Sequence, residues 1–363
     1  MDRIVVIGAG IAGTAAALAL RQAGFGVEVH EAHPSGGADL GAFLTLADTG
    51  MLALRQLGVD RIGGFPLTAM RVVDATGAEV AAAPLRDYRC LRRAELCAAL
   101  REEAERRGIE VRTGSRCTGV DGAVARFADG RAVRGDLLIA ADGVNSALRA
   151  VIDPAARKRY AGQRVYYGYT DRIAPPHEPG RIEMLRGSGT AFGYAVSPSG
   201  VVHWFARLPV PAASPDADLL AALRPDATPA ARIVEATDEV LSTDAHDLAG
   251  SSRWRLGRGL LVGDAAHAAA PATGRGASMA LEDAVVLAKA LRDAPDPDTA
   301  LDRYERHRRP RVERNVLASA RMSAGPHAER PAEVARLAER CAGFPEVDDA
   351  ALAGSLSWPD RLD

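Results

Sequence analysis

Two short clusters at opposite ends of the chain hold the residue types and spacing that could do chemistry. The first is Gly8-Ala9-Gly10-Ile11-Ala12-Gly13, with a carboxylate further on at Glu31. Glycines at this spacing allow a tight turn at Gly8, close approach of backbone to a pyrophosphate at Gly10, and helix-on-strand packing at Gly13. Glu31 falls where an acid accepts hydrogen bonds from a ribose. The second cluster is Gly263-Asp264-Ala265-Ala266-His267, then Pro271 and Gly274-Arg275-Gly276-Ala277. An acid at the end of an apolar strand is costly unless it meets hydroxyl donors, and a ribityl chain offers them. The first cluster points to a dinucleotide. The pair points to a flavin dinucleotide.

The elements needed to position these residues are also legible. Ile4-Val5-Val6-Ile7 is a short apolar, β-branched run, as in a buried parallel strand. An Ala- and Leu-rich helix is predicted over 11–23, stopped by Gly24, and a second strand over 27–30 ends at Glu31. The helix N-terminus supplies N–H groups and the positive end of a dipole for phosphates. Near the other end, Leu260-Leu261-Val262 reads as a strand delivering Asp264, and 277–292 as a helix whose positive end faces the preceding loop. The alternative for Asp264 is an N-cap on the segment that follows it.

Between these ends, further helices are predicted over 49–57 and 94–107, strands over 109–112 and 136–140, and hairpins at 70–85 and near Asp129-Gly130. Residues 164–208 are aromatic-rich and alternating, as in an antiparallel sheet. Residues 209–231 read as a Pro/Ala/Asp-rich connector, and the chain from Thr299 as Arg-rich helix interrupted by Pro326 and Pro331.

Composition excludes several classes. The formal net charge of −2 leaves no nucleic-acid footprint. Strand-forming sequence begins at residue 3 or 4 with no basic leader, and no apolar run reaches the length of a membrane span, so a cytoplasmic protein is expected. Cys90, Cys97, Cys117 and Cys341 form no close pair, which argues against structural zinc, a disulfide framework and a redox dithiol. Neither a metal cluster nor a Ser/His/Asp arrangement stands out.

The chain resembles class A flavoprotein aromatic hydroxylases, the group of p-hydroxybenzoate and salicylate hydroxylases. Four motifs carry the resemblance: the glycine fingerprint with Glu31; Leu91-Arg92-Arg93-Ala94-Glu95-Leu96; Ala141-Asp142-Gly143-Val144-Asn145-Ser146 with Arg149; and 263–284. It implies an α/β fold with a Rossmann-like FAD-binding domain (1–69, 86–155 and 250–325), interleaved with an antiparallel-sheet substrate domain (70–85 and 156–249), plus a C-terminal helical segment (326–363). It implies FAD contacts at Gly8, Gly10, Ala12, Gly13, Glu31, Arg93, Cys117, Asp264, Pro271, Gly274, Gly276 and Ala277. Arg93 would reach the FAD, Asp264 would bind the ribityl chain, and 271–277 would lie against the isoalloxazine. With one dinucleotide fingerprint, NAD(P)H would bind transiently. Reduced FAD would add O2 to give a C4a-hydroperoxide that oxygenates a small planar substrate. The resemblance leaves open an epoxidase, Baeyer–Villiger enzyme or reductase on the same scaffold, or a silent FAD-binding protein. Monomer or homodimer is expected, with no nucleic-acid or integral membrane partner.

Three residues depart from the family pattern. Arg275 stands where Gln is usual, Ser278 where Asn is frequent, and Phe43 replaces a glycine in the loop Gly41-Ala42-Phe43. Arg275 could stabilise reduced flavin, bind a substrate anion, or turn to solvent or an acid. Other residues carry bland readings. His267 is expected as a packed or hydrogen-bonded residue rather than an acid–base group. One of His203 and Trp204 faces the core or a cavity and the other does not. Tyr166, Tyr167 and Tyr169 line a pocket or fill a core. Asp142 caps its turn or touches the cofactor. The arginines at 303–314 form a solvated helical face.

Overall fold

Hydrophobic patterning along the chain is resolved into three sheets and a shell of helices. The computed structural model describes residues 3–34, 42–214, 217–346 and 349–362; Gly41 lies outside them. Six strands form the first sheet: β1 (Arg3–Ile7), β2 (Gly26–His30), β6 (Glu110–Arg112), β10 (Leu137–Ala140), β16 (Arg255–Leu256) and β17 (Gly259–Leu261), in the order β16-β17-β10-β1-β2-β6. It is parallel except at β16, with Ile4 opposite Leu137 and Val6 opposite Val29. Continuous apolar runs such as Leu137–Ala140 are buried on both faces, as a parallel sheet requires.

Eight strands form the second sheet: β3 (Phe43–Leu46), β4 (Phe65–Asp74), β5 (Glu79–Arg92), β11 (Arg159–Thr170), β12 (Arg181–Arg186), β13 (Ala191–Val196), β14 (Val202–Pro209) and β15 (Leu241–Asp247). Its pairings are antiparallel apart from β12 beside β4. The 70–85 hairpin is thus the middle of a longer one. β3 and the outer ends of β4 and β5 hydrogen-bond into this larger sheet. A small third sheet joins β7 (Cys117–Asp121), β8 (Val124–Phe127) and β9 (Ala132–Arg134).

The helices are α1 (Ile11–Gln22), α2 (Asp48–Gln56), α3 (Arg93–Arg106), α4 (Arg149–Ile152), α5 (Leu219–Leu223), α6 (Ala230–Glu235), α7 (Asp264–His267), α8 (Gly276–Asp293), α9 (Pro297–Met322), α10 (Pro331–Ala342) and α11 (Asp349–Leu356). Residues Ser278–Leu291 of α8 are all buried, as in a helix surrounded by protein. Among the described residues no helix is long and apolar enough to cross a membrane.

Two expectations need correction. The stretch 209–231 is not a bare connector: α5 and the start of α6 lie in it. Asp218 caps α5 through a 3.0 Å bond from the Ala221 N–H, and Leu219, Leu223 and Ile233 join the core around Trp204. The arginines at 303–314 are not a solvated face. Arg308 is 1% exposed, and its guanidinium meets Glu282 and Asp283 of α8 at 2.8 and 2.7 Å. Arg311 reaches both oxygens of Glu282. Two buried acids on one helix require cationic partners, and α9 supplies them.

One buried cation fixes the C-terminal segment. Lys289 is 0% exposed and donates to the carbonyls of Gly354, Ser355 and Ser357 at 3.0, 2.9 and 2.6 Å, closing the end of α11. Lys289→Met should strand these carbonyls and destabilise the fold by ~1–3 kcal/mol. Urea unfolding of the pure protein measures it; an unchanged midpoint and slope would show the clamp to be energetically idle.

Candidate functional site

The carboxyl ends of β1, β10 and β17 converge, and open α/β sheets bind ligands at such ends. Gly8 has φ +100°, and a Cβ there would collide with the Ala141 carbonyl; one on Gly13 would collide with the Gly8 carbonyl. Both glycines are therefore fixed by backbone packing. Gly10 differs. A Cβ there would meet only Arg93 Nη2, at 3.7 Å, so space lies in front of it. No side chain caps α1, and its first turn holds no acid. The arrangement is a cradle for an anion that brings its own oxygens.

A cavity of about 1100 Å³ begins there and runs to the second sheet. Gly8, Gly10, Ala12, Glu31, Arg93, Cys117, Asp264, Pro271, Gly274, Gly276 and Ala277 all line it, whereas Gly13 packs behind. Glu31 also braces the turn: Ala9 N–H donates to Oε2 and His33 N–H to Oε1, both at 2.7 Å. Cys117 donates to the Gly119 carbonyl at 3.4 Å, and burial raises its thiol pKa. Asp142 caps its turn, accepting from Ala147 N–H at 2.9 Å, yet it also lines the cavity, where its Oδ1 is buried without a hydrogen-bond partner. Both readings of Asp142 thus have a structural basis.

Asp264 is the first residue of α7 rather than its cap; the cap position is Gly263, with φ +57°. Its side chain opens onto the cavity. Enclosure by protein raises its carboxyl pKa, partly offset by His267 and Arg93. Behind it, His267 Nε2 lies 2.6 Å from Asp283 Oδ2, a hydrogen-bonded residue as expected. Burial alone would raise Asp283, but His267 and Arg308 outweigh it and hold the carboxyl at about 2. Its stabilising contribution is present above the ordinary aspartate range and is lost only as pH falls toward 2.

Arg275 stands at the N-cap position of the 18-residue α8, half-buried, with Nη2 3.4 Å from Tyr88 Oη across the cavity. Ser278 accepts the Ala47 N–H at 3.0 Å, tying α8 to α2. Phe43 lines the cavity, its ring 5.7 Å from that of His203. Trp204 lies in the core on the opposite strand face, stacked on Phe192 at 5.5 Å. Tyr166, Tyr167 and Tyr169 do not line the cavity; Tyr166 donates to the Ala217 carbonyl, and Tyr169 lies under Arg92 at 4.4 Å.

The far wall is apolar, built from residues such as Leu67, Met70, Ile182, Met184 and Phe205. Two cations interrupt it, the exposed Arg186 on β12 and the buried Arg207 on β14. Arg207 on β14 is 7% exposed and lines the cavity, and its Nε and Nη1 have no hydrogen-bond partner. Burial lowers its guanidinium pKa. Sequence reading missed Arg207, although a signal existed: it shares strand parity with His203 and Phe205, opposite to Trp204.

The family described as FAD binding domain matches residues 2–319. The chain is 31% identical over 339 residues to an aurachin C monooxygenase/isomerase of Stigmatella aurantiaca, covering 88% of each. It is 33% identical over 346 residues to an FAD-dependent urate hydroxylase of Klebsiella pneumoniae, again covering 88% of each. A crystal structure of Klebsiella pneumoniae HpxO complexed with FAD and uric acid superposes with a TM-score of 0.79 at 29% identity, covering 98% of this chain and 96% of that one.

Proposed function

This chain belongs to the FAD-binding-domain family of aromatic-hydroxylase-type monooxygenases and is an FAD-dependent monooxygenase; from that premise we propose that it hydroxylates a small planar substrate carrying an ionised oxygen. The single observation behind the substrate class is Arg207, a buried guanidinium with unsatisfied donors in an apolar wall. A carboxylate, phenolate or enolate would satisfy it. The urate hydroxylase among the relatives acts on a planar compound, in keeping with this reading.

The residues present fit FAD. The open space before Gly10 and the uncapped α1 would receive the pyrophosphate, with Arg93 beside them. Glu31 and Cys117 would flank the adenosine, Asp264 would take ribityl hydroxyls, and Pro271, Gly274, Gly276 and Ala277 would border the ring. Gly8 and Gly13 shape the turn, and Ala12 lines it. FAD reduced by NAD(P)H and reacting with O2 supplies one oxygen atom to the substrate. The protein does the rest. Apolar side chains exclude water, Arg207 orients the substrate, and Arg275 with the α8 N-terminus sets a positive potential beside the ring. A cytoplasmic monomer or homodimer with no nucleic-acid partner completes the proposal.

The test is a screen of planar acids and their neutral analogues for acceleration of NAD(P)H oxidation, with oxygen consumption and mass spectrometry of products. Gain of one oxygen atom by an ionised substrate is expected. NAD(P)H oxidation without product, or oxygenation only of neutral compounds, would sink the substrate assignment; no flavin reduction with any compound would point to a silent FAD-binding protein.

A further inference from the structure

Asp264 owes its position to a four-residue turn whose own bonds are the Ala266 and His267 N–H groups on the Gly263 carbonyl, both at 2.9 Å, with Arg149 Nη1 on the Ala265 carbonyl at 3.1 Å. α7 spans only Asp264–His267 and starts from Gly263, whose backbone is in the left-handed region. One carboxylate closes both ends of this turn. Asp283 Oδ2 accepts from the Gly263 N–H at 3.0 Å and meets His267 Nε2 at 2.6 Å. Its other oxygen, Oδ1, accepts from Arg308 Nε at 2.7 Å. Arg308 also donates to Glu282 Oε2 at 2.8 Å and to the Met279 carbonyl at 3.0 Å. All three side chains, Asp283, Glu282 and Arg308, are essentially removed from solvent.

We infer that Arg308, on α9 and away from the cavity lining, is a positioning residue for the cofactor site, acting through Asp283 on the turn that presents Asp264. The inference rests on the assignment of Asp264 to the cofactor. A buried ion network is weak evidence for stability, because desolvation offsets much of the attraction. What this one does is geometric. Without the Arg308 contact, Asp283 is a buried charge with one cationic neighbour fewer, and its best response is to turn or take a proton. Either response loosens the Gly263 and His267 bonds, and the Asp264 carboxylate loses its fixed direction. Sites placed by such supporting contacts lose affinity when the support is removed, although no ligand-touching group has changed.

The test is a double-mutant cycle on the full chain. Apoprotein is titrated with FAD, and its thermal unfolding and the visible spectrum of bound flavin are recorded. Arg308→Met and Asp283→Asn should each weaken FAD binding by about 3–10-fold, the scale of one net hydrogen bond, and shift the flavin band. Arg308→Lys should recover part of the affinity. In an Asp264→Ala background, Arg308→Met should add little, because its effect passes through the missing carboxylate. Additive losses in the cycle would overturn the inference, as would an Arg308→Met protein with a lowered melting temperature but unchanged FAD affinity. If Arg308→Met does not fold, Asp283→Asn and Arg308→Lys carry the same cycle. If Asp264→Ala itself leaves FAD affinity intact, the assignment of Asp264 falls, and this inference falls with it.

Discussion

Asp264→Ala is expected to weaken FAD binding by about 10–100-fold while changing the stability of the apoprotein little. Asp264 opens onto the cavity, and the protein around it raises its carboxyl pKa. A folded-state pKa above the unfolded one means that stability declines as pH rises between the two values, and exposure to solvent in the cavity keeps that cost small. The substitution removes the acceptor for ribityl hydroxyls, where a charge-assisted bond contributes ~1.5–3 kcal/mol. The melting temperature of the apoprotein and a titration with FAD check the two arms. Stability lost together with affinity would show that Asp264 holds the turn rather than the cofactor. Asp264→Asn should fall between, since an amide still accepts a hydrogen bond but carries no charge.

The parts of this site legible in the sequence are those whose chemistry is local. The Gly8–Gly13 turn, α1, β2 and Glu31 form one contiguous unit with a fixed spacing, so strand, helix and acid could be placed before any contact was known. The segment from Leu260 to Ala277 is read in the same way. What escaped depends on pairing between distant segments. Glu31 reads in the sequence as a ribose acceptor; that its oxygens also hold backbone N–H groups, one from its own loop and one from the glycine turn, is a brace that spacing alone does not show. Arg308 reads as solvated among charged sequence neighbours; its partners are on α8. The four-residue β3 is too short to show a period, and β15, Leu241–Asp247, is mostly polar and shows no apolar alternation. The 209–231 stretch was dominated by its prolines, yet Pro229 sits immediately before α6, where a missing N–H costs nothing.

Arg207→Met should raise the dissociation constant of the true substrate by about 10–100-fold, because a charge-assisted hydrogen bond is lost at ~1.5–3 kcal/mol. The same variant should leave FAD affinity unchanged, since the cofactor-binding candidates and Arg207 come from different sheets and helices around the cavity. Its unliganded form should be more stable than the native protein. A guanidinium that is buried with two unsatisfied nitrogens costs desolvation energy and gains little in return until an anion arrives. Burial lowers its pKa, which is the same penalty in another form. Arg207→Lys should bind substrate with intermediate affinity: it keeps a cation but not the planar fork that fits a carboxylate or enolate. The decisive comparison uses an ionised substrate and its O-methylated analogue. The native protein should discriminate between them by about the same 10–100-fold factor, and Arg207→Met should nearly abolish that discrimination by losing the anion alone. If both ligands weaken equally in the variant, Arg207 serves only to shape the wall, and the oxygenated substrate is recognised by its apolar body.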